Sequence, residues 1–579
     1  MIWHLQDIDR SIVEREALEA LAQRAPWLTI VGWRIDEQIR LIVDADIKVG
    51  TRIYRALLRY PSHFPFGPAL VIPRDGQERW SGHQYGSGGE LCLEWRPDTW
   101  HPDATGAQVL ESAFDLLQGE SPTGPNTGTV ASAHKLTVGQ DLRFGHYSRI
   151  LLTAASREKL QSLGIGDLEG GTLVGVFHKE AAGLAIEKLE LEDSADWVDA
   201  GVPNELADEG TRRTICVVRL PDESAEPPVT SYKDFVQYFG GFGLTLPDVR
   251  YIIVVRRDRV SAYFTWPEDD SACKVAVIEP EPERQRLGSS HRNLRQKKVA
   301  IIGCGSLGSK VATILARCGV GNFLLVDDDI LYPGNLVRND LDWRDVGTHK
   351  ADALARRLRM VNAAVDVVAR KHRLGGQESG SSFESMITSV AKCDLIVDAA
   401  ADPSVFNLLT AAAAHGNKTL LWCEVFAGGI GGLVARSRPG KDPDPASARI
   451  IIEQWSNGQG KEAPKPVAGY GLIDDETLIA DDADVTVIAG HAARLAIDTL
   501  VQREPSLFPV SAYMIGLAKA WAFSAPFETY PIDLGPAIER PDQEVSNPAK
   551  VAAELKRLLS LIGVNTDETD RPRSDSPAA

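Results

Sequence analysis

The densest set of residues able to do chemistry lies between 299 and 350, in VAIIGCGSLGSKVATILARCGVGNFLLVDDDILYPGNLVRNDLDWRDVGTHK. Gly303, Gly305 and Gly308 follow an apolar run over 299–302 and precede a helical pattern over 309–317, so strand, tight turn and helix N-terminus come in the order that holds phosphates. The turn amides and the helix dipole of such a unit supply an anion site. The next strand, 323–326, ends in Asp327-Asp328-Asp329, and Asn335, Arg338 and Lys350 follow. A hydride-transfer enzyme needs one acidic residue for a ribose and takes its substrate groups from a distant domain. Here two cations stand close behind a ribose-type Asp, which suits a triphosphate being cleaved, because both neutralise charge developing on phosphate oxygens. A second set surrounds Cys92 in HQYGSGGELCLEWRPDTWHPDATGAQVLESAFDLL, residues 83–117. Taken alone, a cysteine in such an apolar context is more often a small buried residue than a nucleophile, although a thiolate is able to carry an acyl group.

The 299–350 segment closely resembles the adenylation domain of the ThiF/MoeB and ubiquitin-activating family, whose motif runs as an acidic strand end, then NLxR, then a lysine. The resemblance implies that Asp327 binds the ribose, with Asp329 beside it, and that Asn335, Arg338 and Lys350 contact phosphates. It also implies ATP and Mg2+ as cofactors. In LIVDAAADPSVF, Asp402 stands just past the strand 395–397 and would hold the magnesium. The 83–117 segment resembles the active-site stretch of ubiquitin-conjugating domains: Cys92 is followed by Leu93, Trp100 lies eight positions on, and Val109, Ala113, Leu116 and Leu117 give a helical face. By that resemblance Cys92 is the nucleophile. Where the family has His-Pro-Asn this chain has His83-Gln84-Tyr85, so the Asn expected to stabilise an oxyanion is missing, and Gln84 or Tyr85 could donate instead.

The two chemistries these resemblances imply are consecutive steps of one pathway, and together the segments resemble bacterial fusions of conjugating and activating domains in CBASS and related ubiquitination-like antiphage operons. The fold implied is multidomain α/β and α+β: a ubiquitin-conjugating-like α+β domain over 1–125, an α/β connector over 130–280, a Rossmann-like adenylation domain over 285–560 and a disordered tail over 565–579. In the first domain, strand-like runs at 27–33, 39–47 and 53–58 precede the HQYG turn. SPTGPNTGT, 121–129, is loop chemistry that ends it. The resemblance leaves the connector unexplained, and that region reads as a spacer with strands at 171–177, 214–220, 249–256 and 260–266 and a flexible turn at GGFG, 240–243.

Composition narrows the class. At 579 residues the chain holds three or four domains' worth of sequence, with ordinary globular usage at 44% hydrophobic and 25% charged residues. A net charge of −18 argues against a nucleic-acid surface, and the basic cluster over 283–298 reads as a solvated entry to the nucleotide domain. No apolar run reaches membrane-spanning length, and the charged N-terminal stretch is not a signal peptide, so a cytoplasmic location is expected. Seven cysteines without CxxC or His spacing make disulfides and a zinc site unexpected.

Activating enzymes of this family carry an intermediate cysteine on a crossover loop, expected here within 465–485 because 484–500 resembles the helix that follows it. That stretch has no cysteine. Three routes remain: direct transfer to Cys92, an ester on a hydroxyl such as Thr477 or Thr486, or a replaced cysteine, for instance at Ala468. Cys423, at the end of the strand 420–422, is a further candidate carrier, against its reading as a buried strand cysteine. Cys304 is a packing residue of the loop. The expected partners are a ubiquitin-like protein or tail, a target lysine, a nucleotidyltransferase and deconjugating protease of the same operon, and a second copy in a homodimer. Sulfur-carrier adenylation and an inactive scaffold are the alternative functions.

Overall fold

The computed structural model describes residues 2–76, 78–85, 88–97, 99–120, 139, 142, 147–191, 195–257, 259–280, 288–376, 380–460, 472–473, 476–477, 480–537 and 548–562. The loop over 121–129 and the tail over 565–579 lie outside these residues, as does most of the crossover stretch over 465–485. Contacts divide the chain into two units, 1–145 and 146–579.

In the first unit the helix Ile8–Arg24, capped by the Asp7 carboxylate accepting from Arg10 N, precedes four strands. These are β1 (Leu28–Ile35), β2 (Leu41–Val49), β3 (Arg52–Arg59) and β4 (Leu70–Pro73), an antiparallel meander in sequence order. A two-strand turn, β5 (Gln84–Tyr85) with β6 (Glu90–Leu91), then leads to Cys92 and the helix Gly106–Glu120. That helix forms because Val109, Leu110, Ala113 and Leu117 recur at helical spacing, and all four are fully buried. Trp27 stacks on Phe114 at 4.2 Å, tying the sheet to the helix. A polar pin completes the core: buried Glu14 accepts from Tyr60 Oη at 2.7 Å, Gly106 N at 2.7 Å and Arg10 Nη2 at 2.8 Å. These bonds oppose the burial that raises its pKa.

The second unit begins with the region expected as an α/β connector. Three helices, Ala154–Gln161, Asn204–Glu209 and Tyr232–Gly240, accompany eight strands among its described residues: β7 (Ser148–Leu151), β8 (Leu168–Phe177), β9 (Ala182–Glu190), β10 (Trp197–Val198), β11 (Thr211–Arg219), β12 (Tyr251–Arg256), β13 (Arg259–Trp266) and β14 (Ser271–Ile278). Their order is β10-β9-β7-β14-β13-β12-β11-β8, and β8 pairs back onto β9, so seven strands close into a barrel. Its interior is filled by side chains such as Leu184, Ile186, Ile215, Val217 and Ile253. The closing strand LEGGTLVGVF contains three glycines, which weakens its strand signal in sequence. Gly175 is required there, because a Cβ would stand 1.9 Å from the Gly183 carbonyl oxygen.

The remainder is a doubly wound sheet: β15 (Lys298–Ile302), β16 (Asn322–Val326), β17 (Asp366–Arg370), β18 (Leu395–Asp398), β19 (Thr419–Val425) and β20 (Gly431–Ser437). After a small hairpin, β21 (Leu472–Ile473) with β22 (Glu476–Thr477), come β23 (Ala512–Gly516) and β24 (Thr529–Ile532). The order β17-β16-β15-β18-β19-β20-β23-β24 makes the first five parallel and the last three antiparallel. The central strands are buried on both faces, one under the helices Ser306–Arg317, Lys350–Val361 and Asp482–Leu500 and the other under Pro403–Gly416 and Pro445–Asn457. The strand order reverses between the parallel neighbours β15 and β18, the place where such sheets open a crevice at their strand carboxyl ends. The buried pair Arg436–Asp498, 2.9 Å apart, joins β20 to the helix Asp482–Leu500. Among the described residues no helix is long and apolar enough to cross a membrane.

Candidate active site

The glycine loop sits at that switch point and is pressed against the end of β18. Gly303 has φ +88° and a Cβ on it would meet Ala399 O at 2.9 Å, while a Cβ on Gly308 would lie 1.8 Å from Gly303 O. Gly305 is different: it precedes the helix Ser306–Arg317, faces open space, and leaves the helix start without a side-chain cap. The first amides of a twelve-residue helix are thus left for an anionic ligand.

Asp327, at the end of β16, clasps this loop. Its carboxylate accepts from Cys304 N at 2.6 Å and from Asp329 N at 2.8 Å. Burial nevertheless raises its pKa, the two amides and Lys350 opposing the shift. Each carboxylate oxygen keeps a lone pair for a ribose hydroxyl. Lys350 begins the helix Lys350–Val361, is almost fully buried, and forms an ion pair with Asp329, whose backbone oxygen also accepts from Lys350 N at 2.9 Å. Burial pushes the Asp329 carboxyl up, but the bond from Lys350 and its charge hold it below the usual value. An arriving phosphate would compete with Asp329 for that ammonium.

The NLxR segment lies alongside. Asn335 Oδ1 accepts from Tyr332 N at 2.9 Å, and Arg338 ends the short 3-10 turn Pro333–Val337 in a half-buried position. Sequence reasoning missed Asn339. It is buried, donates from Nδ2 to Cys304 O at 3.3 Å and accepts from Leu341 N, so it ties this segment to the glycine loop. Its position next to Arg338 was the available signal.

A cavity of about 430 Å³ opens at the carboxyl ends of β18 and β19, adjoining the loop through Ala399–Asp402. Asp402 lines it and caps the helix Pro403–Gly416, accepting from Ser404 N at 2.8 Å and Ser404 Oγ at 2.7 Å, which lowers its pKa. Three groups not singled out by sequence share the cavity: Asp398, Glu424 and Arg449. Burial pushes Asp398 up to about 6 despite a bond from Ala400 N, and burial also raises Glu424. Their signal was faint, because Asp398 reads as the last residue of an apolar strand and Arg449 as an ordinary helix cation. Asp398 and Asp402 suit Mg2+, which takes one or two carboxylates and completes its shell with water and phosphate oxygens. Among the described residues no three His, Cys, Asp or Glu side chains converge as a protein-only metal site.

Cys423 lines the same cavity but is 3% exposed, lies 3.9 Å from Asp398 O, and has its thiol pushed far up by burial and then by the carboxylates of Asp398 and Glu424. That environment suits packing and disfavours an acyl-carrying thiolate. Cys304 is fully buried in the core, with its pKa driven up by burial. Thr477 falls on β22, and Thr486 is exposed on the helix Asp482–Leu500.

In the first unit Cys92 follows β6, half-buried, and its amide donates to His83 O at 2.8 Å. Burial raises the thiol, while Arg96 pulls it down. The expectation that Gln84 donates to an oxyanion is corrected: its amide oxygen accepts from Trp80 N at 2.5 Å and Ser81 N at 3.1 Å, and its nitrogen donates to Glu78 O and Gly89 O. With both ends committed, Gln84 builds the turn. Tyr85 is half-exposed and sits where burial, then the charges of Glu90 and Cys92, raise its pKa, so it stays a phenol able to donate near the thiol. His83 Nε2 lies 3.6 Å from Glu120 Oε1. The Trp100 indole donates to Pro65 O at 2.6 Å, holding the loop after Cys92 against the cis Phe64-Pro65 segment.

Residues 283–472 match the ThiF family and form a ThiF-family domain. The chain is 34% identical over 134 residues to the "ATP-dependent ubiquitin transferase-like protein Cap2" of Escherichia coli, covering 22% of this chain and 21% of that protein. It is 33% identical over 105 residues to "Ubiquitin-like modifier-activating enzyme 5" of Aedes aegypti, covering 18% and 26%. An uncharacterized protein of Sinorhizobium fredii, y4qC, is 29% identical over 225 residues, covering 36% and 37%. In each case the match spans well under two thirds of the relative's length. Among solved structures, E. coli MccB with ATP aligns at TM-score 0.33 and 19% identity, over 44% of this chain and 68% of that one.

Proposed function

We propose that this chain activates the C-terminal carboxylate of a ubiquitin-like protein with ATP, takes the acyl group onto Cys92 and delivers it to a target amine, most simply a lysine. The observation that carries the adenylation half is the convergence at one switch point of an uncapped helix start behind the glycine loop, the Asp327 clasp and the Lys350–Asp329 pair. The ThiF-family domain and the names of the Cap2 and modifier-activating relatives support the same half.

In the first step a substrate carboxylate oxygen attacks the α-phosphorus, the bond to the β-phosphate oxygen breaks, and pyrophosphate leaves. Lys350 and Arg338 stabilise the charge on the phosphoryl oxygens, the glycine-loop amides hold the chain of phosphates, and Asp327 holds the ribose. Asp402 and Asp398 would hold Mg2+, which when bound supplies Lewis-acid stabilisation of that charge. The cavity beyond Asp402, walled by Trp422 and Phe426, gives the substrate's tail a place to lie. In the second step Cys92 loses its proton and attacks the acyl carbon, and AMP leaves. In the third the target amine attacks the thioester and the thiol leaves. The helix–meander–turn–helix order around Cys92 supports the conjugating half, as does the turn that Gln84 builds behind it. A place in an antiphage operon, with a nucleotidyltransferase target and a deconjugating protease, rests on the sequence resemblance alone, and so does a homodimer.

Intact-protein mass spectrometry after incubation with MgATP and the candidate modifier tests the reading. The expected product is an adduct of modifier mass minus water, removed by thiol reductant and missing in Cys92→Ala. An adduct that survives both treatments moves the acyl carrier away from Cys92.

A further inference from the structure

The barrel region does more than connect its flanking segments in sequence, because one of its helices grips the segment that carries Lys350. Asn204–Glu209 is a single short helix whose Leu206 and Ala207 pack on the barrel cluster Val174, Ala185 and Val202. Its two glutamates point the other way. Glu209 Oε2 accepts from Arg344 Nη1 at 2.7 Å, and Glu205 Oε1 accepts from Arg359 Nη1 at 3.2 Å. Those arginines straddle Lys350 in sequence, one on the turn Trp343–Asp345 before it and one on the helix Lys350–Val361 after it.

Each arginine is also anchored within the nucleotide region itself. Arg344 is bidentate to Asp342, and Arg359 Nη2 donates to Val367 O on β17 at 3.0 Å. The stretch between them is laced to the strand end that carries Asp329. Gly347 N donates to Leu331 O, Leu331 N to Thr348 O and Lys350 N to Asp329 O, each at 2.9 Å. The placement of the Lys350 ammonium beside Asp329 therefore depends on where 342–350 is held.

We propose that Glu205 and Glu209 of the barrel are positioning residues for the ATP site: they hold the 342–350 segment in the register that presents Lys350 to phosphate. This rests on the reading of 303–350 as an ATP site. Both pairs are partly exposed, so each contributes modestly and is sensitive to salt.

The test uses the full chain with Glu205→Gln and Glu209→Gln combined, measuring ATP affinity by calorimetry and deuterium uptake by mass spectrometry. ATP is expected to bind on the order of three- to tenfold more weakly at low salt. Uptake over 342–350 should rise, and the affinity difference should vanish in 1 M salt, on the order of a 3 Å screening length. Glu268→Gln, which breaks the barrel pair with Arg250 beside β12 and β13, is the control and should leave ATP binding unchanged. A wild-type chain that binds no ATP would sink the underlying reading and this proposal with it. A wild-type chain that binds ATP, with the double variant matching it in affinity and uptake, would overturn the proposal alone. An equal loss in Glu268→Gln would also overturn it, by making the effect one of general barrel stability.

Discussion

The Asp327 clasp gives a sharp quantitative expectation. Its two carboxylate oxygens each take one backbone amide, Cys304 N on Oδ2 and Asp329 N on Oδ1, and Cys304 is fully buried. Asp327→Asn keeps the shape but replaces one acceptor by an NH2 group, so one of the two amides must face a donor. A hydrogen bond to a charged group contributes about 1.5–3 kcal/mol, and an orphaned buried amide costs a similar amount. Native-state hydrogen exchange reads this directly. Protection at Cys304 or Asp329 should fall by roughly ten- to 150-fold, while strand amides such as Ala300 in β15 keep theirs. ATP affinity should fall in parallel, because the Cys304 amide belongs to the loop meant to hold phosphates. Wild-type protection at both amides in Asp327→Asn would refute the clasp, and with it the argument that this carboxylate organises the loop.

Other consequences follow from the same physics. Asp398 is folded with a pKa of about 6 against an ordinary 3.8, so it favours its protonated form in the folded state. Its contribution is full at low pH and is lost as pH rises through about 6, a cost of about 3 kcal/mol above that. Asp398→Asn should therefore melt higher than wild type at pH 8, with the gap closing toward pH 4; a gap that stays flat over that range argues against the assignment. Cys92, with its thiol raised by burial, should be alkylated by iodoacetamide about tenfold faster per pH unit from 7 to 9, since only the thiolate reacts. A plateau below pH 8 would mean an activating base near the thiol. Asp498→Ala strands the buried Arg436 guanidinium and should cost about 3–5 kcal/mol in urea unfolding of the second unit, whereas replacing both partners by leucine should recover most of it. Equal losses in the single and double variants would show that packing, not charge, dominates there.

The βαβ unit with its glycine loop was legible in sequence because its residues are local. Gly303, Gly305, Gly308, Asp327 and Lys350 fall within fifty residues, and the βαβ unit that joins them brings sequence neighbours into contact. Asp398, Glu424 and Arg449 were not singled out, because they converge from three elements whose periodicity speaks only of burial. The strands of the first meander were visible within a few residues, whereas the β-bulge between Ile30 and Gly32 was not. The barrel escaped for a different reason: its closure depends on a non-local pairing of β8 with β9 through glycines, and glycine lowers the local strand signal at the place where tertiary geometry demands it. Gln84 illustrates the opposite error. A polar residue beside a candidate nucleophile invited a catalytic role, but four hydrogen bonds commit it to the turn.

Pyrophosphate exchange tests the central reading most directly. Labelled pyrophosphate should enter ATP only when the enzyme is given a ubiquitin-like protein with a free C-terminal carboxylate, and the exchange should be lost when that carboxylate is amidated or when Lys350 is replaced by alanine. Exchange indifferent to the carboxylate, or wild-type rates in Lys350→Ala, would contradict an adenylating site built on this loop.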